Sequence, residues 1–240
     1  MVKNKSLKIN FIFNVALSLT SLIFPLITFP YVSRILQPAG LGKVSFATSV
    51  VSYFSIFAQL GIPTYGIRAC SKVKDSKENL TKTVIEIMLI NFVTVCISYV
   101  ALVISLACVD KFFEYRTLIA IVSCSILLNA IGVEWLYKAL EQYSYITIRS
   151  IIFKIVAIVL MFLLVKNQDD YNIYGVISIF AVSASNVLNF INLKKYIKIK
   201  RTTLRYLSLR KHLKPILVFF LMSVATTMYT QLDTVMLGFM

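Results

Sequence analysis

One lysine stands where a lysine is costly. The stretch from Ile146 to Val165 reads ITIRSIIFKIVAIVLMFLLV. It is long and apolar enough to cross a bilayer, which takes about 20 residues at about 1.5 Å each. Lys154 sits well inside it, with Arg149 nearer its start. A cation at the centre of a spanning helix costs about 2.5–3.5 kcal/mol on insertion scales. Such a side chain is tolerated when it faces a watery cavity or a partner, and the chemistry it then offers is the attraction of an anion. Arg149 is close enough to the end of the run to snorkel to the headgroups, whereas Lys154 lies deeper.

The elements that hold these cations are legible as apolar runs. Seven can be marked, at roughly 9–33, 43–66, 83–108, 117–137, 146–165, 172–193 and 215–238. With 58% hydrophobic residues and a mean hydropathy of +0.81, the chain carries more apolar surface than a soluble domain can hide. The expected fold class is therefore an all-α, multi-pass membrane protein. The first run, Ile9 to Ile35, is too long for a cleaved signal peptide and is read as the first span. A net charge of +15 would suggest nucleic acid in a soluble protein; here the positive-inside rule explains it, and no nucleic acid is expected. With the N-terminus in the cytoplasm, 19 of the 25 cations fall on the inner side and Arg34, Lys43, Lys111, Arg116 and Lys166 on the outer, with Lys154 between.

Each run also carries small polar residues at helical spacing. The first has Asn10, Asn14, Ser18, Ser21, Pro25 and Thr28, and the second Ser45, Ser49, Ser52, Ser55 and Gln59. Lys154 lies on such a stripe, with Thr147, Ser150 and Ala157. Close helix packing through small residues explains most of these positions singly; it does not explain the lysine. Pro25 and Pro30 should bend or break the first helix, and Gly61 and Pro63 should do the same near the inner end of the second.

Other chemistry finds no support. There is no Gly-rich phosphate loop, no nucleophile–base cluster and no metal-ligand spacing, so neither an enzyme nor a cofactor is expected. Cys70, Cys96, Cys108 and Cys124 form no CxxC pair and are expected as free thiols. The single histidine, His212, falls in a basic loop, and Glu86 can pair with Lys82 one turn earlier. Trp135 is most simply an interfacial anchor. The segment 194–214, KKYIKIKRTTLRYLSLRKHLK, could lie on anionic lipid as an amphipathic helix or serve as a plain positive-inside linker.

Three stretches together carry a resemblance: Phe29-Pro-Tyr-Val-Ser-Arg-Ile-Leu-Gln-Pro-Ala-Gly-Leu-Gly42, Ala58-Gln-Leu-Gly-Ile-Pro-Thr-Tyr-Gly-Ile-Arg68, and Val133-Glu-Trp-Leu-Tyr-Lys-Ala-Leu-Glu141 running into Tyr145-Ile-Thr-Ile-Arg149. They resemble the bacterial polysaccharide flippases of the Wzx type, which repeat-unit assembly of O-antigen and capsule uses. The wider superfamily includes multidrug exporters of the MATE type and peptidoglycan-precursor flippases. Gln37 departs from the pattern, since the family usually has Gly before that Pro.

The resemblance implies two six-helix lobes facing across a V-shaped cavity that opens alternately inward and outward. It implies an oligosaccharide substrate on an undecaprenyl-pyrophosphate carrier, with polysaccharide polymerase and glycosyltransferases as working partners, in the bacterial cytoplasmic membrane. Gln231-Leu-Asp-Thr-Val-Met-Leu-Gly238 looks like the first helix of the second lobe. The expected organisation is a six-helix lobe over 1–193, a basic cytoplasmic linker over 194–214 and that first helix over 215–240, as if the sequence were partial. A pyrophosphate-linked sugar is anionic, and cations lower the cost of drawing it into a low-dielectric slot. The candidate substrate-binding residues are Lys154 in the cavity wall, Arg149 and Arg68 near the inner mouth and Arg34 near the outer mouth. Asp233, near the outer end of the last run, is a candidate for ion coupling or for a structural salt bridge. An exporter of the MATE type is the alternative; it calls for a buried carboxylate on the first helix, and 9–33 holds no Asp or Glu. A non-transporting membrane fragment is the third reading.

Overall fold

The computed structural model describes residues 7–197 and 207–239. The middle of segment 194–214, residues 198–206, therefore lies outside the described residues, as do Lys3 and Lys5, and the amphipathic-helix expectation for that middle part is untouched. The described residues are almost wholly helical: α1 (Leu7–Gln59), α2 (Ile62–Lys72), α3 (Lys77–Cys108), α4 (Asp110–Glu114), α5 (Arg116–Gly132), α6 (Glu134–Ala139), α7 (Tyr143–Leu164), α8 (Tyr171–Ile179), a π-turn at Phe180–Ala184, α9 (Ser185–Asn192) and α10 (Arg210–Phe239). Five stretches are long and apolar enough to cross a membrane, the first being Lys8–Lys72, and Arg116–Gly132 is a shorter apolar helix. Their flanks expose Leu, Ile, Val and Phe, as lipid-facing helices must: Leu26 is 72% exposed and Phe92 68%.

The first break in α1 is not where the prolines suggest. The chain stays helical through Pro25 and Pro30 and leaves helical geometry at Gln37, with φ 56° and ψ 175°. A proline removes one backbone donor but fixes φ near a helical value, so a membrane helix can carry it when other groups absorb the freed carbonyl. Gln37 divides α1 into two arms. Leu60 and Gly61, at φ 44° and 69°, end the second arm, so it stops at Gln59 and not at residue 66. Gly61 is needed for a second reason: a Cβ there would lie 2.6 Å from the α10 backbone at Phe219. Val133, at φ 43°, likewise cuts the fourth run into α5 and α6.

Side-chain contacts give the relative directions. Thr147 Oγ1 donates to Phe13 O, Lys154 Nζ to Ser21 Oγ and Tyr31 Oη to Val165 O, so the first arm and α7 run the same way. Thr94 donates to Ala58 O and Ser98 to Phe54 O, so the second arm is antiparallel to α3. Ser49 donates to Gln231 Oε1 at 2.7 Å while Gly61 abuts Phe219, so α10 is antiparallel to the second arm as well. These senses alternate along the chain as spans must. They gather Arg68, Lys72, Lys74, Lys138, Lys194, Lys195, Arg210 and Lys211 towards one end, with Lys74 paired to Glu141 at 2.8 Å. That carboxylate holds the exposed Lys74 ammonium above its ordinary pKa, by hydrogen bond and by charge.

Three apolar clusters fill the interior. One joins Val32, Leu36, Ala157, Met161 and Ile177; a second joins Val50, Leu102, Ile119 and Ile126. The third, at the cation-rich end, joins Ile62, Val84, Ile87, Trp135 and Ile216. Trp135 is therefore not an interfacial anchor. It is 5% exposed, and its indole packs against Gly66, where a Cβ would come within 2.6 Å of the ring.

Candidate functional site

Lys154 does not face lipid. The side chain is 8% exposed and its ammonium donates to Ser21 Oγ at 3.0 Å, in the seam between α7 and the first arm of α1. Among the described residues no carboxylate comes within 4.0 Å of it. An ammonium has three protons to place, and a single hydroxyl is thin compensation for one held in an apolar bundle.

Arg149 is also buried, at 5% exposed, which rules out the snorkelling alternative. Nη1 donates to Ser185 O at 2.8 Å, Nη2 lies 3.5 Å from Glu134 Oε2, and Nε is buried without a partner. Its guanidinium carbon sits 5.7 Å from the centre of the Tyr145 ring. The carbonyl it reaches follows directly on the π-turn at Phe180–Ala184, where the helical ladder widens; such turns recur at functional sites. Glu134 is shared: its Oε1 accepts from Lys138 Nζ at 2.8 Å.

The other sequence candidates stand apart. Arg68 is exposed on α2 and Arg34 is exposed near the Gln37 break. Asp233 is exposed on α10, and among the described residues no ion pair involves it. Of the five candidates, only Arg149 and Lys154 share an element and a buried setting.

Three cavities lie along the second arm of α1. One of about 290 Å³ lies between the second arm and α10, lined by Ser52, Ser55, Gln59, Thr227 and Thr230. Another of about 270 Å³ lies among the second arm, α5 and α8, and shares Ser52 and Ser55 with the first. A third, of about 360 Å³, includes Gln59, Asn129, Glu134, Trp135, Lys138 and Asn186 in its wall. The polar stripe of the second arm thus lines hollow space and does not only serve close packing. Lys154 is in none of these three walls; the charged side chains in the wall of the third cavity are Glu134 and Lys138.

Sequence reasoning missed a second buried charge. Glu86 is fully buried and does not pair with Lys82. Its Oε1 accepts from the Ser208 backbone N–H at 2.7 Å, and its Oε2 accepts from Lys211 Nζ and His212 Nε2, both at 2.8 Å. His212 Nδ1 is 2.6 Å from the Tyr65 hydroxyl. An ionised carboxylate only accepts, so Nε2 carries the proton and Nδ1 accepts from Tyr65. His212 is thus no loop residue: it stands in the first turn of α10, 3% exposed, and ties that helix to α2 and α3. A polar residue amid the apolar run 83–108 was the one available signal, and the partner lies too far along the chain to be guessed.

All four thiols are free, Cys70 buried and the others exposed. No group of three or more His, Cys, Asp or Glu capable of holding a metal occurs among the described residues.

Comparison with known proteins places this arrangement. Two curated proteins, each named "Putative O-antigen transporter", are similar to it. The one from Escherichia coli (strain K12) is 25% identical over 98% of this chain and 56% of its own length. The one from Shigella dysenteriae is 26% identical over 90% of this chain and 54% of its own length. The chain thus spans about half the length of the curated relatives it matches. No solved structure matches it. A family model described as "Polysaccharide biosynthesis protein" matches residues 7–240, nearly the whole sequence. A bundle of apolar helices with buried cations, matched end to end by that model, belongs to the polysaccharide biosynthesis family and is Wzx-like in kind.

Proposed function

We propose that this chain forms one side of a flippase that moves undecaprenyl-pyrophosphate-linked oligosaccharide repeat units across the bacterial cytoplasmic membrane by alternating access, with its N-terminus in the cytoplasm. In this reading the part of the chain up to residue 193 is one six-helix lobe, the basic stretch between it and α10 is the cytoplasmic linker, and α10, which begins at Arg210 and not at 215, is the first helix of the facing lobe. The substrate's pyrophosphate supplies the anion, and polymerase and glycosyltransferases act before and after the crossing. Anionic lipids hold the linker at the inner surface.

The observation that carries this reading is Lys154, buried at 8% exposure with a hydroxyl and no carboxylate for company. A buried charge is normally paired or shifted to neutrality. An ammonium kept without an anion, in a family named for polysaccharide biosynthesis, suits a passing phosphate. The exporter reading would need an acid on the first arm of α1, and residues 9–33 have none.

The test is cell-based. Lys154→Ala in the whole protein should abolish surface display of the polysaccharide in a strain lacking its own flippase, at unchanged protein level, while Lys154→Arg retains part of it. Wild-type display by Lys154→Ala would overturn the reading.

A further inference from the structure

Backbone strain, loose charge contacts and a cavity wall meet at the junction of α5 and α6. Val133, at φ 43° and ψ 36°, is β-branched in the left-handed region. A residue held there costs about 1–3 kcal/mol and persists only where its surroundings enforce it. Gly132 enforces it here: the chain passes so close to α9 that a Cβ would lie 2.5 Å from the Asn186 side chain. The effect of the turn is to set Glu134 at the start of α6, on the wall of the cavity of about 360 Å³.

Glu134 then stands between the cavity and Arg149. The Arg149 side chain is 4% exposed, while that of Glu134 is 35% exposed and lines the cavity. The contact between them is long, 3.5 Å, and is not the paired fork that Arg and a carboxylate form at their best. Arg149 uses one short bond, to Ser185 O, and leaves Nε unpaired. A planar guanidinium with donors to spare fits a tetrahedral oxyanion better than it fits this carboxylate. One carboxylate is therefore shared by the cations Lys138 and Arg149, at 2.8 and 3.5 Å, without binding Arg149 tightly.

We propose that Glu134 is a resident counter-ion: it occupies the anion position at Arg149 in the empty protein and is displaced when a phosphate of the substrate enters from the cavity. This deepens the flippase reading and rests on it. Glu134 acts through Arg149 and is a positioning residue. Its swing away exposes a buried guanidinium only when a replacement anion is at hand. Without it, the cations would hold any anion and release it slowly.

The probe is inorganic pyrophosphate, titrated against the purified chain in lipid nanodiscs. Glu134→Gln keeps the shape and removes the competing charge. It should tighten pyrophosphate binding about tenfold, equivalent to about 1.4 kcal/mol. Damage to the fold would weaken binding, so a gain is not what a structural role produces. Glu134→Asp, which withdraws the charge from Arg149 by one methylene, should tighten it about threefold and serves if the Gln variant does not fold. Arg149→Gln should abolish binding. If wild-type binding needs Arg149 yet both Glu134 variants match or fall below wild type, the counter-ion proposal is overturned and the phosphate reading stands. If pyrophosphate binds neither wild type nor any variant, both are overturned.

Discussion

Two buried charges, Glu86 and Lys154, lie in the same bundle and are treated in opposite ways. Glu86 is 0% exposed and receives three donors, one backbone N–H, one imidazole N–H and one ammonium. Lys154 is 8% exposed and has a single Ser hydroxyl. The first site is closed: every oxygen is used, and the histidine it holds is fixed in turn by Tyr65. The second is open by comparison. A charge with its partners complete joins helices, whereas one left short of partners is poised for something that comes and goes. Arg149, with its loose carboxylate and unpaired Nε, belongs with Lys154.

The sharpest way to break that comparison is to remove each charge and read stability and transport separately. Glu86→Ala leaves the buried His212 facing an apolar hole and takes the partner from the half-exposed Lys211. Breaking a buried pair in this way costs about 3–5 kcal/mol, so thermal unfolding in detergent should show the chain barely folded. Lys154→Met should do the reverse: the buried cation goes, a similar shape remains, and stability should rise by about 2 kcal/mol while transport is lost. If Lys154→Met destabilised the chain as much as Glu86→Ala, Lys154 would be structural and the contrast would collapse.

What could be read beforehand divides along the same line. The all-α, multi-pass class and the inward placement of Lys154 on its polar stripe follow from local rules of hydropathy and period, and the structure has them, with five stretches long and apolar enough to span and Lys154 buried. The pairing of Glu86 with His212 does not, because it joins residues on α3 and α10 that only packing brings together. Depth along the run leaves Arg149 free either to snorkel or to turn inward, and the carbonyl of Ser185 that captures it belongs to another helix. Trp135 illustrates the same limit: an aromatic near a span end normally marks the interface, but Gly66 leaves room for it. That packing gives the next prediction. Gly66→Ala puts a methyl 2.6 Å from the indole, beside the cluster that seats Ile216 of α10. Overpacking of this kind costs about 1–3 kcal/mol, and it should appear as lowered unfolding temperature with pyrophosphate affinity unchanged. A change in affinity without one in stability would move Trp135 from the closed part of the molecule to the open part.

The smallest expected effect concerns strain. Gln37 and Val133 both hold positive φ, at 56° and 43°, and both interrupt a helical run. They differ in what the strain accomplishes. At Val133 it places Glu134 between a cavity and a buried arginine. At Gln37 the side chain is exposed, and the turn needs only a residue that tolerates φ 56° with ψ 175°, a region nearly reserved for glycine. Relatives of the type this chain resembles usually have glycine there. Gln37→Gly should therefore remove strain of about 1–3 kcal/mol, offset in part by the greater freedom of glycine in the unfolded chain, for a net gain of about 1 kcal/mol. Transport and pyrophosphate binding should not move. A loss of transport on Gln37→Gly would mean that rigidity at this turn, and not only its shape, is used in switching, and the strained turn at Val133 would then no longer be the functional one of the two.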